Sequence, residues 1–190
     1  MKRLIDIIIS CVLLVIASPL IVVASDAIWI QDGRSPLFLH DRIGRGGRVF
    51  KLIKFRTMSH GPWSIEDRPI YSDVRVTWVG RVLRRTAMDD VLNLVNVLKG
   101  DISLVGPRPM PPAINGIDIR TIQGWEERNR VVPGMIGLAQ LYCPKHCLPR
   151  QKFRYDSLYV HRQLPMHCLC TDLWLTGRAI RWVFDKGVRP

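Results

Sequence analysis

Nineteen consecutive residues, Ile7 to Ser25, carry no charge. As a helix such a run is about 28 Å long, close to the thickness of a bilayer core. Three readings compete for it. A signal peptide accounts for the basic start at Lys2 and Arg3 and the small residues Ser25 and Ala27, but the run is long, and Asp6 and Pro19 fit poorly. A spanning helix predicts a cationic bias on one side. Instead Lys2 and Arg3 precede the run while Arg34, Arg42, Arg45 and Arg48 follow it, so both flanks read as cytoplasmic. Ser18-Pro19 offers a third path, because a proline inside a helix removes a hydrogen bond and bends the chain. A helix that dips in and returns satisfies both basic flanks, with Ser18 supplying part of what the break frees. The re-entrant path is the expectation taken forward, over residues 1–30.

The remaining chain, 31–190, reads as one cytosolic-face catalytic domain without repeats or low-complexity tracts. With 47% hydrophobic residues it is not disordered. Its 190 residues bury a core without staples. Lys and Arg number 28 against 16 Asp and Glu, so the formal charge is +12 and an anionic partner is expected: nucleic acid, membrane phosphate or a phosphorylated substrate. Nucleic acid leaves Ile7–Ser25 without a purpose, and the six tryptophans form no base-stacking pattern. Five cysteines, an odd number, suit free thiols better than a disulfide framework.

Residues 31–58 read as short strands or turns, with alternation at Leu37–Leu39 and Val49–Ile53. His60–Pro69 reads as a loop, and Asp73–Arg85 stays open between strand and helix. Asp90–Lys99 reads as a helix ending at Gly100, with Thr86 and the two aspartates as its cap. Toward the C-terminus Leu173, Trp174, Leu175, Ile180, Trp182, Val183 and Phe184 alternate with Arg178, Arg181 and Lys186, which suits an interfacial membrane helix or a core-packing one. The expected class is α/β, mostly helical, with a re-entrant N-terminal membrane helix and a small catalytic domain carrying interfacial amphipathic helices.

Chemistry is expected at Asp89 and Asp90. Adjacent carboxylates at a helix start stay ionised and suit a nucleophile or a divalent cation; a plain acidic cap is the bland alternative. Arg81, Arg84 and Arg85 lie just before them, and Gly106-Pro-Arg-Pro109 presents Arg108 on a rigid turn. Carboxylates among guanidinium groups imply a magnesium-bound phosphate ester. Gly44-Arg-Gly-Gly47 lacks the ending of a P-loop and reads as a surface turn with some phosphate contact open to it. Lys51, Lys54 and Arg56 place cations on one strand face. The spacing of Cys143, His146, Cys147, His161, His167, Cys168 and Cys170 does not match paired zinc fingers.

Lys54-Phe-Arg-Thr-Met58, Asp89-Asp90, Asn96-Val-Leu-Lys-Gly-Asp101, Ser103-Leu-Val-Gly-Pro-Arg-Pro109 and Pro133-Gly-Met-Ile-Gly-Leu-Ala-Gln140 resemble the bacterial sugar transferases, the monotopic phosphoglycosyl transferases. Lys2-Arg3 with Asp6, Ser18-Pro19, Arg42-Ile-Gly44 and Asp156 with Tyr159-Val160 extend the likeness over nearly the whole chain. The resemblance implies a protein on the cytoplasmic face of the bacterial inner membrane, its helices among inner-leaflet lipids. It implies a UDP-sugar donor, magnesium, a phosphosugar intermediate on Asp89, release of UMP, and undecaprenyl phosphate as acceptor, in the step that initiates surface-glycan assembly. Asp90 falls at the magnesium ligand, and Lys54, Arg56, Arg84, Arg85, Arg108, Pro133, Gly134 and Gln140 at the substrate side. Arg3 is the candidate for the polyprenyl phosphate, and a homodimer stays open. The family's usual glutamate is Asp90 here, its proline is Leu92, and Cys143-Pro-Lys145 replaces a Gly-Arg-Asn. Near Cys168, where the family has an aspartate, Asp172 is the nearest acid. Asp90 also admits a second expectation, a catalytically impaired relative acting as a membrane scaffold.

Overall fold

A computed structural model describes residues 1–59, 75–114, 116–143, 147–163 and 169–186, so the loop expected at His60–Pro69 lies outside the described residues. In chain order the elements are α1 (Lys2–Asp32), β1 (Leu37–Ile43), β2 (Val49–Phe55), α2 (Trp78–Arg85), α3 (Asn93–Lys99), β3 (Ser103–Val105), β4 (Ala113–Ile114), β5 (Ile117–Asp118), α4 (Trp125–Arg128), β6 (Gly134–Ile136), α5 (Leu138–Tyr142), α6 (Pro149–Gln163) and α7 (Leu169–Lys186). Helix dominates. The described strands form three two-stranded sheets, β1–β2 and β4–β5 antiparallel and β3–β6 parallel.

Helical structure in α1 continues through Pro19 to Gly33, whose φ of 64° ends it in the left-handed conformation. Proline lacks the N–H that would serve the carbonyl of Val15, four residues back. The Ser18 hydroxyl donates to that same carbonyl at 2.8 Å, so the vacated acceptor is satisfied locally. This is the one helix among the described residues long and apolar enough to cross a membrane. Its middle stays open, with Val15 73% and Ile16 71% exposed.

Both ends of α1 touch the same body. At the start, Arg3 donates to the carbonyls of Val97 and Leu98 at the end of α3, and Asp6 accepts from Ser103 Oγ at 2.8 Å. At the far end, Ala24 and Ile28 join a buried cluster with Phe55, Val79, Leu83 and Leu92, and Gln31 accepts from the Val79 N–H at 3.2 Å.

The segment left open at Asp73–Arg85 is helical from Trp78. Thr77 caps it, its hydroxyl accepting from the Gly80 N–H at 3.0 Å, and Val79 and Leu83, one turn apart, are buried. Glycine is required at position 80, because a Cβ there would sit 2.1 Å from the Thr57 carbonyl oxygen. The next helix starts three residues later than expected. α3 begins at Asn93, capped by Leu92 without a side-chain bond, and ends at Gly100 as read, with φ 92°. Thr86 serves the end of α2 instead, donating to Val82 O at 2.9 Å. Asn96 is fully buried and bolts α3 to β2, accepting from Ile53 N–H at 2.9 Å and donating to Lys51 O at 2.8 Å.

On α7, Leu175 is buried against Val105 and Tyr159 while Leu173 and Trp174 are exposed. The helix therefore packs on the core by one side and leaves apolar surface on another. Ile180, Trp182, Val183 and Phe184 have side chains outside the described set. The free-thiol expectation is corrected at two positions. Cys143 and Cys147 form a disulfide, while Cys11 and Cys170 are free and exposed.

Candidate active site

Asp89 and Asp90 lie in a single 3-10 turn, Met88–Asp90, between α2 and α3, and each is 8% exposed. Ala87 turns the chain into it with φ 56°, a left-handed conformation that costs a non-glycine residue about 1 kcal/mol or more. The expectation of a helix-start cap is thereby corrected: the acids precede α3 by a turn and are packed inward.

Asp90 is held from two sides. Its Oδ1 lies 2.5 Å from Lys54 Nζ, one residue from the end of β2, and its Oδ2 accepts from Arg108 at 3.0 Å. Arg108 stands on the turn after β3, which is fastened at three points. Gly106 N–H donates to Ile136 O at 2.8 Å, Gly134 N–H to Pro107 O at 2.9 Å, and Arg128 to Arg108 O at 2.6 Å. Arg128 is itself paired with Asp156 at 3.0 Å, both side chains 3% exposed.

Hairpin register supplies the rest. Phe38 faces Lys54, His40 faces Leu52 and Arg42 faces Phe50, so these six share one face of the sheet. Lys51, expected on the same face as Lys54, pairs with Asp41 on the other, because three residues is an odd step. Arg42 donates to Pro109 O at 3.2 Å and lies 3.2 Å from His40 Nδ1. Burial, then the nearby Arg42 and Lys54 charges, push His40 down to about 4, so its ring is neutral at pH 7. Burial lowers Lys54, opposed by Asp90, and Lys54 also feels Asp89. Burial and then Arg108 lower Arg42 to about 10. Lys54 and Arg108 thus contact Asp90, with Arg42 close enough to feel its charge, a positive excess suited to an anion.

The structure gathers Asp89, Asp90, Lys54 and Arg108 as the sequence suggested. Arg84 is adjacent, its Nε donating to Thr57 Oγ1 at 2.9 Å, while Arg85 is exposed on α2 and Arg56 is half-buried just after β2. Pro133 and Gly134 line the β3–β6 seam. A Cβ on Gly134 would meet Gly106 N at 2.1 Å, so their part is to seat the Arg108 turn. Gln140 is exposed and accepts from the Gly137 N–H at 2.7 Å, capping α5. Arg3 caps α3, as described above. Sequence reasoning passed over Arg42, His40 and Arg128 as site residues. The alternation of Phe38, His40 and Arg42 opposite Phe50, Leu52 and Lys54 was the available signal for the first two.

Magnesium prefers hard oxygen donors and keeps few protein ligands when phosphates complete its shell. Asp89 and Asp90 offer that donor type, and no cluster of three acidic, histidine or cysteine ligands occurs among the described residues. Both carboxylates are hard oxygen donors beside Lys54 and Arg108, a donor type that fits a cation shared with substrate oxygens.

Comparison with known proteins gives the chain a family. The family model described as bacterial sugar transferase matches residues 1–186. A UDP-glucose:undecaprenyl-phosphate glucose-1-phosphate transferase of Klebsiella pneumoniae is 38% identical over 98% of this chain and 40% of its own length. A UDP-N-acetylgalactosamine-undecaprenyl-phosphate N-acetylgalactosaminephosphotransferase of Aeromonas hydrophila is 34% identical over 96% of this chain and 43% of its own. An undecaprenyl-phosphate galactose phosphotransferase of Salmonella typhimurium is 33% identical over 84% of this chain and 36% of its own. The chain thus spans about two fifths of the length of these relatives. On the family match and the extent of these identities, it belongs to the bacterial sugar transferase family.

Proposed function

We propose that this chain transfers a sugar-1-phosphate from a UDP-sugar to undecaprenyl phosphate at the cytoplasmic face of the inner membrane, initiating surface-glycan assembly. The observation that carries the reading is the buried Asp89-Asp90 pair under the Lys54, Arg108 and Arg42 cations. All three relatives named above carry undecaprenyl phosphate and a sugar in their names, each a different sugar, and two of them name a UDP-sugar donor. The transferred unit common to them is a sugar phosphate.

In the proposed sequence, Lys54 and Arg108 draw the donor's diphosphate against the acids. An Asp89 carboxylate oxygen attacks the sugar-linked phosphorus, the bond from that phosphorus to the bridging oxygen breaks, and UMP leaves with the electron pair. An oxygen of undecaprenyl phosphate then attacks the same phosphorus and Asp89 is released unchanged. Splitting a displacement between two anions into two steps is what a covalent nucleophile contributes. Arg108, fixed by its fastened turn, meets the charge that grows on the phosphoryl oxygens. Asp90 would hold magnesium together with substrate oxygens, and the ion would supply charge neutralisation at the diphosphate.

The membrane path in this reading is re-entrant. A straight span puts its ends on opposite sides of roughly 30 Å of hydrocarbon, whereas the start of α1 bonds the end of α3 and its far end packs with Leu92 just before α3. Asp90 supports activity over an inert scaffold, since the shorter acid reaches both of its cations.

To test the reading, the nanodisc-embedded chain is incubated with radiolabelled UDP-sugars and magnesium. The expected result is UMP release with an acid-sensitive label on the protein, absent in Asp89→Asn. Normal labelling and turnover in Asp89→Asn would refute the nucleophile.

A further inference from the structure

Arg42 is built into the site without a counter-ion of its own. Among the described residues no carboxylate lies in ion-pair contact with it, although Asp90 is near enough to be felt. Its Nε is shut off from solvent and has no hydrogen-bond partner. The other two guanidinium nitrogens meet only neutral acceptors, Pro109 O and His40 Nδ1. Across from it stands a second cation, Arg108, which with burial holds it down at about 10. Burying an arginine against another arginine is unfavourable for the protein alone. Lys54 and Arg108 share the charge of Asp90; Arg42 has protein charge to share with neither acid directly.

The surroundings indicate which anion. Three residues beyond Arg42 the chain turns at Arg45–Gly47, one wall of a groove of about 480 Å3 whose other wall is Trp125, Glu126, Asn129 and Arg130. That volume is in the range of small-molecule sites, about 300–1,000 Å3. Gly46 N–H donates to Asn129 O at 3.0 Å and joins the walls, and both walls lead back to the Arg108 turn, through Arg42 to Pro109 O and through Arg128 to Arg108 O. A ligand lying along this groove with a phosphate at Arg42 has that phosphate beside the acids and its bulk outside them.

We propose that Arg42 is the seat of the donor's nucleoside-linked phosphate, the one that departs in UMP, with the nucleoside lying toward the Arg45–Gly47 groove. The assignment rests on the donor reading above. A phosphate at Arg42 could belong to the departing nucleotide or to the lipid acceptor, and the experiment separates the two.

The probes are UMP, inorganic phosphate and undecaprenyl phosphate, with the full chain in nanodiscs as wild type, Arg42→Gln and Arg42→Lys. Because Arg42 opposes Arg108, Arg42→Gln is expected to melt at or above the wild-type temperature without ligand. It should lose the stabilisation that UMP gives wild type, and its KM for the donor should rise about 10- to 100-fold, the worth of one charged contact. Arg42→Lys should retain part of the UMP effect, and the KM for undecaprenyl phosphate should stay within about twofold in both. Unchanged UMP stabilisation in Arg42→Gln overturns the proposal, and so does a lowered melting temperature without ligand, which marks a structural arginine. A KM rise confined to undecaprenyl phosphate assigns the residue to the acceptor and also overturns it. If wild type binds no UMP and takes no label from any UDP-sugar, the donor reading itself falls and this inference falls with it; failure of Arg42→Gln alone leaves that reading standing.

Discussion

The buried pair Arg128–Asp156 allows stability and catalysis to be pulled apart. Both side chains are 3% exposed at a separation of 3.0 Å, and Arg128 also lies 4.8 Å from the Phe153 ring centre. Asp156→Asn leaves a desolvated guanidinium with no charge opposite it, which costs about 3–5 kcal/mol. In a chain of this size each kcal/mol moves the melting temperature by about 2–4 °C, so a drop of roughly 6–20 °C is expected. Replacing both, as Arg128→Met with Asp156→Leu, removes two desolvation penalties together and should bring the melting temperature back near wild type. Activity should not return. Arg108 O loses the 2.6 Å bond that fixes its turn, and a drift of about 1 Å in a phosphate-holding group costs on the order of 100-fold in rate. The assays are a thermal melt in nanodiscs and UMP release from the donor. A double variant that is both stable and fully active refutes the positioning of Arg108 by Arg128. A single variant that melts within 2 °C or so of wild type refutes the desolvated pair.

Asp90→Glu pushes the carboxylate one methylene further into contacts already made at 2.5 and 3.0 Å, so UMP release should fall about 10- to 100-fold; a gain in rate would favour the impaired-scaffold reading instead. His40, held neutral down to about pH 4 while the unfolded chain protonates near 6.5, makes the unfolded state bind more protons between those values. Stability should therefore fall as pH drops from 6.5 toward 4, by about 1–2 kcal/mol after solvent screening, and His40→Gln should flatten that slope in pH-dependent melts. Gly134→Ala places a Cβ 2.1 Å from the Gly106 nitrogen and 2.5 Å from the Val105 carbonyl carbon, backbone atoms that must separate. A loss of about 3 kcal/mol or more, read as folded yield and melting temperature, is expected.

Local chemistry was readable wherever a residue's own conformational needs decide the structure. Gly100 ends α3 because a left-handed φ of 92° favours glycine, and Ser18-Pro19 announces a lost donor with its replacement one residue away. The two aspartates stood out in the sequence as adjacent acids flanked by arginines, and the structure buries them together. Their partners were less so, since Lys54 meets Asp90 through packing of β2 against the turn before α3, a contact no local pattern encodes. Arg42 and His40 were hidden in a strand whose register with β2 had not been drawn. The start of α3 was misplaced because Asp89 and Asp90 have cap chemistry but are packed inward. The Cys143–Cys147 bond depends on how the chain passes from α5 to α6, which cysteine counting does not reveal.

The first turn of α1 ties the long apolar helix to the strand that carries Arg108. Lys2 Nζ donates to Val105 O and to the Tyr159 hydroxyl at 2.9 Å each, and pairs with Asp172 at 2.5 Å; the Tyr159 hydroxyl also donates to Val105 O at 3.0 Å. Asp6 holds Ser103 at the opposite end of β3, with Arg3 on α3 beside it. Both ends of the strand that delivers Arg108 are thus fastened by the start of the long apolar helix. Tyr159 and Asp172 come from α6 and α7, so the acid near Cys168 whose register was open in the sequence is tied to the same point. On the proposed reading the lipid-borne acceptor must meet a fixed arginine at the bilayer surface. In that reading the first turn of α1, through Lys2, Arg3 and Asp6, anchors β3 and sets the height of Arg108 above the lipid.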